Sequence, residues 1–177
     1  MDFDKNRKIA LRELSESLSN INEKEAGEFL DRLLKSRRIF VAGAGRSMLM
    51  LQAFAQRLRH LGKESYVVAE TVTPAIGKGD LLVVASGSGK TGGVINILKL
   101  AGKHKADIVF ITASSSPSPE KTVSLIVTIP GVFSSRQLMA SLFEQTLLLF
   151  CDNICLALKG RLKVSETQMR KNHANLE

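Results

Sequence analysis

Three short segments of the 177-residue chain carry side chains suited to chemistry: Ser86-Gly87-Ser88-Gly89-Lys90-Thr91, Gly43-Ala44-Gly45-Arg46-Ser47, and Glu144 within an apolar stretch. In the first, glycines let the backbone approach a ligand. The hydroxyls of Ser86, Ser88 and Thr91, with backbone N–H groups, can surround one phosphate at a helix N-terminus. An ordinary strand-to-helix turn with Thr91 as a cap would not call for so many hydroxyls. Lys90 either points at the anion or into solvent. The Gly89-Lys90-Thr91 end suggests a P-loop, but that motif needs a glycine where Val84 stands, inside a strand. The second segment starts like a dinucleotide fingerprint. Met48 holds the place of its third glycine, and no acidic residue ends the next strand at the required distance, so nicotinamide cofactors are not expected. Arg46 follows the glycine turn and could contact phosphate, cap a helix or pair with Glu70.

Glu144 has Ala140, Ser141, Leu147 and Leu148 one helical turn away, none of them cationic. A carboxylate on such a face is desolvated, which disfavours its charged form and suits a general base. The alternative is an edge-facing glutamate paired with an arginine. Two histidines could shuttle protons between oxygens. His60 ends a helix, where a capping role is the plainer reading. His173 lies in the polar tail, either as surface or reaching a neighbouring subunit. His104, between two lysines, reads as surface. Cys151 and Cys155, spaced i, i+4 in an apolar helix, read as small core residues, with neither a disulfide framework nor a zinc site. They point to a reducing, cytoplasmic setting.

The elements that must position these groups follow from hydrophobic periodicity. Residues 6–20 and 22–35 read as two amphipathic helices, the second capped by Asn22 with Glu25 as its partner. Short apolar strands follow at 38–42, 65–68, 80–85, 107–112 and 124–128. Helices lie between them at 46–61 and 94–101, and a long helix runs from about 136 to 158. Wholly apolar strands alternating with helices mean a parallel sheet covered on both faces. Ligands bind outside the carboxyl ends of such strands. Three of those ends, at 43–47, 86–91 and 112–116, are built from small residues. The chain reads as one α/β domain. Residues 1–37 form its N-terminal helices, 38–160 its core and 161–177 its tail.

Bulk properties set limits. Hydrophobic residues make up 44% and charged residues 24%, ordinary for a globular chain. The net charge of +8 is spread out: residues 39–150 hold eleven Lys/Arg against six Asp/Glu, with no basic block. With one Tyr and no Trp, nucleic acid is not an expected partner, whereas a diffuse positive field suits small phosphorylated substrates. The run from Leu138 to Leu158 is broken by Glu144, Gln145, Asp152 and Asn153, so it reads as a core helix and not a membrane span. The polar start of the chain is unlike a signal peptide.

These segments resemble the sugar isomerase (SIS) domain family. The similarity rests on Val41 to Ser47, Arg57 to Gly62, Gly79 to Leu82 and Ser86 to Thr91. Glu70-Thr71-Val72-Thr73-Pro74-Ala75, Ser141-Leu142-Phe143-Glu144-Gln145 and His173-Ala174-Asn175-Leu176-Glu177 narrow it to hexulose phosphate isomerases. The resemblance implies a three-layer αβα sandwich with a five-stranded parallel sheet, and a homotetramer. It implies interconversion of a 3-hexulose 6-phosphate with fructose 6-phosphate in ribulose monophosphate formaldehyde assimilation, with neither metal nor cofactor. By the motif match, Ser47, Ser86, Ser88 and Thr91 touch substrate and Glu144 is the base. Gly45, Arg46, Gly87, Gly89 and Lys90 belong to the same binding loops, with His60 and His173 as further catalytic candidates. The family has an acidic residue where Lys90 stands and often a glycine where Met48 stands, and residues 131–139 match it poorly. A non-catalytic sugar-phosphate sensor of the same fold, or another aldose–ketose isomerase, are the rival readings.

Overall fold

A computed structural model describes residues 2–117 and 122–175. Helices α1 (Phe3–Ser19) and α2 (Glu23–Lys35) precede β1 (Ile39–Ala42) and α3 (Gly45–His60). Then come β2 (Ser65–Val67), β3 (Leu81–Ser86), α4 (Gly92–Lys103), β4 (Asp107–Thr112) and β5 (Leu125–Thr128). The long α5 (Ser141–Leu162) and the short α6 (Glu166–Lys171) complete the chain. The five strands form one parallel sheet in the order β2-β1-β3-β4-β5. The αβα layering expected from sequence is therefore present.

Strand alternation divides the core in two. Ile39, Val41, Leu81, Val83 and Ala85 face α2, α3 and α5, meeting Phe29, Leu51, Phe54, Phe143 and Leu147. Phe40, Ala42, Leu82 and Val84 face the other way onto Val94, Leu98 and Ala101 of α4. α5 is long and apolar enough to cross a bilayer, yet 56% of its most apolar stretch is buried within the protein. It serves here as the central core helix.

Local signals explain most boundaries. Gly62, at φ 82°, ends α3. The Lys63 N–H reaches the Leu58 carbonyl and the Gly62 N–H the Arg59 carbonyl, satisfying two end carbonyls. Asn22 caps α2 as expected, accepting from Lys24 N. Its expected partner does not close the box. Glu25 Oε2 instead accepts from the Thr128 N–H at 2.9 Å, tying α2 to β5. The largest departure is α5, which begins at Ser141 and not near 136. Gly131 and Met139 both take positive φ, 79° and 49°, so residues 131–140 form a loop with one 3-10 turn at Val132–Ser134. Leu138 and Met139 stand exposed there and lend the segment an apolar look without burying it.

Candidate active site

Because every strand runs the same way, the N-termini of α3, α4 and α5 gather at the carboxyl edge of the sheet. All three lack a side-chain cap, at Ala44, Thr91 and Ala140. The helices that start elsewhere, α1, α2 and α6, are each capped by a side chain, from Asp2, Asn22 and Ser165. Open N–H groups and positive helix ends thus converge on one place, an arrangement suited to an anion.

The loop after β3 lies at the centre. Ser86 is buried, and its hydroxyl sits 3.0 Å from that of Thr91. The expected alternative of Thr91 as a side-chain cap for α4 is therefore not met; its hydroxyl turns back to Ser86. The exposed Ser88 hydroxyl accepts from the Lys90 N–H at 3.3 Å. Lys90 itself is exposed to solvent. From β4, Thr112 donates to the Ser86 carbonyl at 2.7 Å and accepts from Ser114 N at 3.1 Å. Gly89 takes φ 66°, and a Cβ there would come within 3.0 Å of Ser114 Cβ and 3.1 Å of Thr112 Oγ1. The loops at 86–91 and 112–117 are thus fitted to one another through a residue without a side chain.

The other two segments join this loop. A Cβ at Gly43 would lie 3.1 Å from the Met48 nitrogen and 3.4 Å from the Ala85 carbonyl, so the Gly43 turn runs directly beside the end of β3. A Cβ at Gly87 would lie 3.3 Å from the Phe143 ring. The serine loop therefore rests on Phe143 in the first turn of α5, the residue before Glu144. Glu144 is buried. Arg46, from the first turn of α3, pairs with it through Nε and Oε2. Of the two readings left open for Glu144, the pairing with an arginine is the one met, although the carboxylate is buried and not edge-facing. Glu144 has no cationic neighbour within its own helix, but a distant segment supplies one. Arg46 pairs with Glu144 and not with Glu70. The Arg46 side chain is 64% exposed against 11% for Glu144, so the arginine is the partner in contact with solvent.

Ser86, Gly87, Ser88, Gly89, Lys90 and Thr91 thus lie on the loop after β3, with Gly45, Arg46 and Ser47 in the first turn of α3 and Glu144 in that of α5. His60 and His173 lie elsewhere. His60 ends α3, fourteen residues after Arg46, which at about 1.5 Å per residue places it about 21 Å along the helix from the site. It is buried, and its ring stacks on that of His173 with centroids 4.8 Å apart. The tail is anchored there as well by Asn172 Nδ2, which donates to the His60 carbonyl at 3.0 Å. The last two residues of the tail motif, Leu176 and Glu177, lie outside the described residues. Among the described residues, no three or more His, Cys, Asp or Glu side chains are grouped to hold a metal ion. Thr112 and Phe143 were missed as individual site residues. Phe143 could have been found from its place just before Glu144.

Known proteins resemble this chain in sequence and in overall fold. The SIS domain family model matches residues 32–150. A protein of Bacillus subtilis named 3-hexulose-6-phosphate isomerase is 39% identical, over 94% of this chain and 95% of its own length. One of the same name from Mycobacterium gastri is 34% identical, over 99% of this chain and 92% of its own. A solved structure from Methanococcus jannaschii, for which the molecular function of 3-hexulose-6-phosphate isomerase was inferred, superposes with a TM-score of 0.87. It is 30% identical and covers 98% of this chain and 99% of its own. With the family model matching residues 32–150 and relatives matched over nearly their whole lengths, the chain belongs to the SIS domain family.

Proposed function

We propose that this chain interconverts 3-hexulose 6-phosphate and fructose 6-phosphate, with the 86–91 loop holding the phosphate and Glu144 acting as base. What supports this reading is a buried carboxylate in the first turn of α5, next in sequence to Phe143, whose ring lies against Gly87 of the loop. The names borne by the relatives support the choice of substrate.

The reaction moves a carbonyl from C3 to C2. Glu144 removes the proton on C2, the electron pair forms the C2–C3 double bond, and charge collects on O3 of an enediolate. The same carboxyl returns the proton to C3, and the proton of O2 passes to O3, leaving the carbonyl at C2. Hydroxyls and N–H groups of the cradle and of the open helix ends stabilise the developing oxyanion. Arg46 covers Glu144 in the free enzyme. An arriving phosphate offers the guanidinium a stronger bidentate partner and frees the carboxylate for catalysis. Ser47, in the same turn as Arg46, supplies a further hydroxyl to the substrate, and Lys90 adds positive charge at the mouth.

The two histidines act in this reading only across a subunit boundary. α3 and α5 leave Leu49, Leu149 and Leu156 exposed, which supports assembly, and we read the protein as a homotetramer in which the tail of one chain approaches the site of another. A phosphosugar is the only partner the scheme requires, with neither nucleic acid nor membrane. Both cysteines are free, in keeping with a cytoplasmic place in formaldehyde assimilation by the ribulose monophosphate route.

The test is fructose 6-phosphate formation from enzymatically made 3-hexulose 6-phosphate. Turnover without added metal is the expected result. Binding of both sugars with no interconversion would leave a sensor of the same fold and overturn the enzymatic reading.

A further inference from the structure

The segment that delivers Glu144 is held from outside the sheet. Residues 131–140 lead straight into the first turn of α5. They contain Met139 at φ 49°, a conformation unfavourable for a residue with a side chain, which persists only where its surroundings impose it. The segment ahead of Met139 is held by two residues of α1 one turn apart, and so on one face. The Ser17 hydroxyl, buried, donates to the Pro130 carbonyl at 2.8 Å, where the segment begins. Glu13 takes the middle with both carboxylate oxygens. Oε1 accepts from the Arg136 N–H at 2.9 Å. Oε2 accepts from the Ser135 hydroxyl at 2.8 Å and from Gln137 Nε2 at 3.2 Å. Three donors from three consecutive residues converge on one side chain. The Ser135 hydroxyl also accepts from Gln137 N at 3.1 Å, which closes the turn on itself.

We propose that Glu13 is a positioning residue for the isomerisation: its carboxylate clamps residues 135–137 and thereby fixes the first turn of α5, and with it Glu144, against the 86–91 loop. This rests on the reading of Glu144 as the base. The N-terminal helix then acts as a splint for catalysis and not merely as added core. The clamp touches neither the cradle nor substrate, so its loss acts on the chemical step more than on binding. Catalysis is sensitive to such placement, because a carboxylate displaced by about 1 Å can lose about a hundredfold in rate.

The test pairs hydrogen–deuterium exchange with kinetics on the full chain, using Glu13→Ala, Glu13→Gln and the neighbouring Glu16→Ala as a control. Glu16 is exposed and pairs with Arg12 on its own helix. In Glu13→Ala, amides of residues 132–146 should exchange about tenfold faster while the strands keep their protection. Its kcat should fall about ten- to a hundredfold, with KM within about threefold of wild type. Glu13→Gln keeps an acceptor of the same length and should recover part of both, and Glu16→Ala should match wild type. Unchanged exchange in 132–146 would overturn the clamp whatever the activity. So would exchange that rises equally throughout the sheet, the mark of general destabilisation. Unchanged kcat in Glu13→Ala with faster local exchange would overturn its part in catalysis. A wild type that turns over nothing would instead sink the functional reading, with the exchange data still deciding the clamp.

Discussion

At Gly89 a single missing side chain decides the shape of the cradle. Its φ of 66° suits glycine, and the space for a Cβ is already taken by Ser114, Thr112 and Pro117. Gly89→Ala must therefore twist the loop or push the 112–117 segment away. An increase in KM of about tenfold is expected, with the fold intact by circular dichroism. An unaltered KM would show that the loop tolerates both strains. The place of the serine loop was legible in the sequence because a run of glycines and hydroxyls ends an apolar strand. The partner of Glu144 was not. Ninety-eight residues separate it from Arg46, and no local pattern registers a contact made only by the topology. The same blindness hid Thr112, whose hydroxyl holds the Ser86 carbonyl from the next strand.

Among the elements, β3 is fixed at both ends by polar contacts. Its carboxyl end opens into the cradle. Its amino end follows Asp80, fully buried, which accepts from Arg38 Nη2 at 2.6 Å, Arg37 Nη2 at 3.1 Å and the Gly77 N–H at 2.9 Å. Burial pushes this carboxyl up, but Arg38, the Gly77 N–H and Arg37 together outweigh it and hold it below its ordinary value of 3.8. A carboxyl depressed in the folded state adds stability above that ordinary value and loses the contribution as pH falls through its lower folded value. Asp80→Asn should lower Tm by roughly 5–10 °C at pH 7, and the gap from wild type should close in acid below the ordinary value. A gap that stays constant into acid would contradict the ion-pair account. Element types were readable from periodicity, since the strands are short apolar runs and the helices repeat on one face. The start of α5 was not. Leu138 and Met139 continue the apolar pattern backwards in sequence, while the backbone at Met139 has already left the helix.

For the molecule as a whole, the sheet separates two tasks. One face, with α2, α3 and α5, carries the larger core, and the carboxyl edge gathers the uncapped helix ends to which we assign the chemistry. The cysteines belong to the core. Burial, with lesser help from Asp152, pushes the Cys155 thiol up to about 12, and burial pushes Cys151 well above its ordinary range. A thiol reagent at pH 8 should find neither in the native protein and both after unfolding, because only the thiolate reacts. Rapid native labelling would mean that α5 opens far more readily than its packing implies. Assembly and the histidines belong to this scale too. A sequence can place His60 and His173 on motifs, but only the fold reveals that they stack about 21 Å from Arg46 at the far end of α3. The account as a whole turns on Glu144 beside the Ser86 to Thr91 loop. Its most direct measurement is kcat for Glu144→Gln, with fructose 6-phosphate binding measured on the same preparation. The account predicts a loss of about a thousandfold or more in kcat with the sugar phosphate still bound. Turnover within a few-fold of wild type would contradict it.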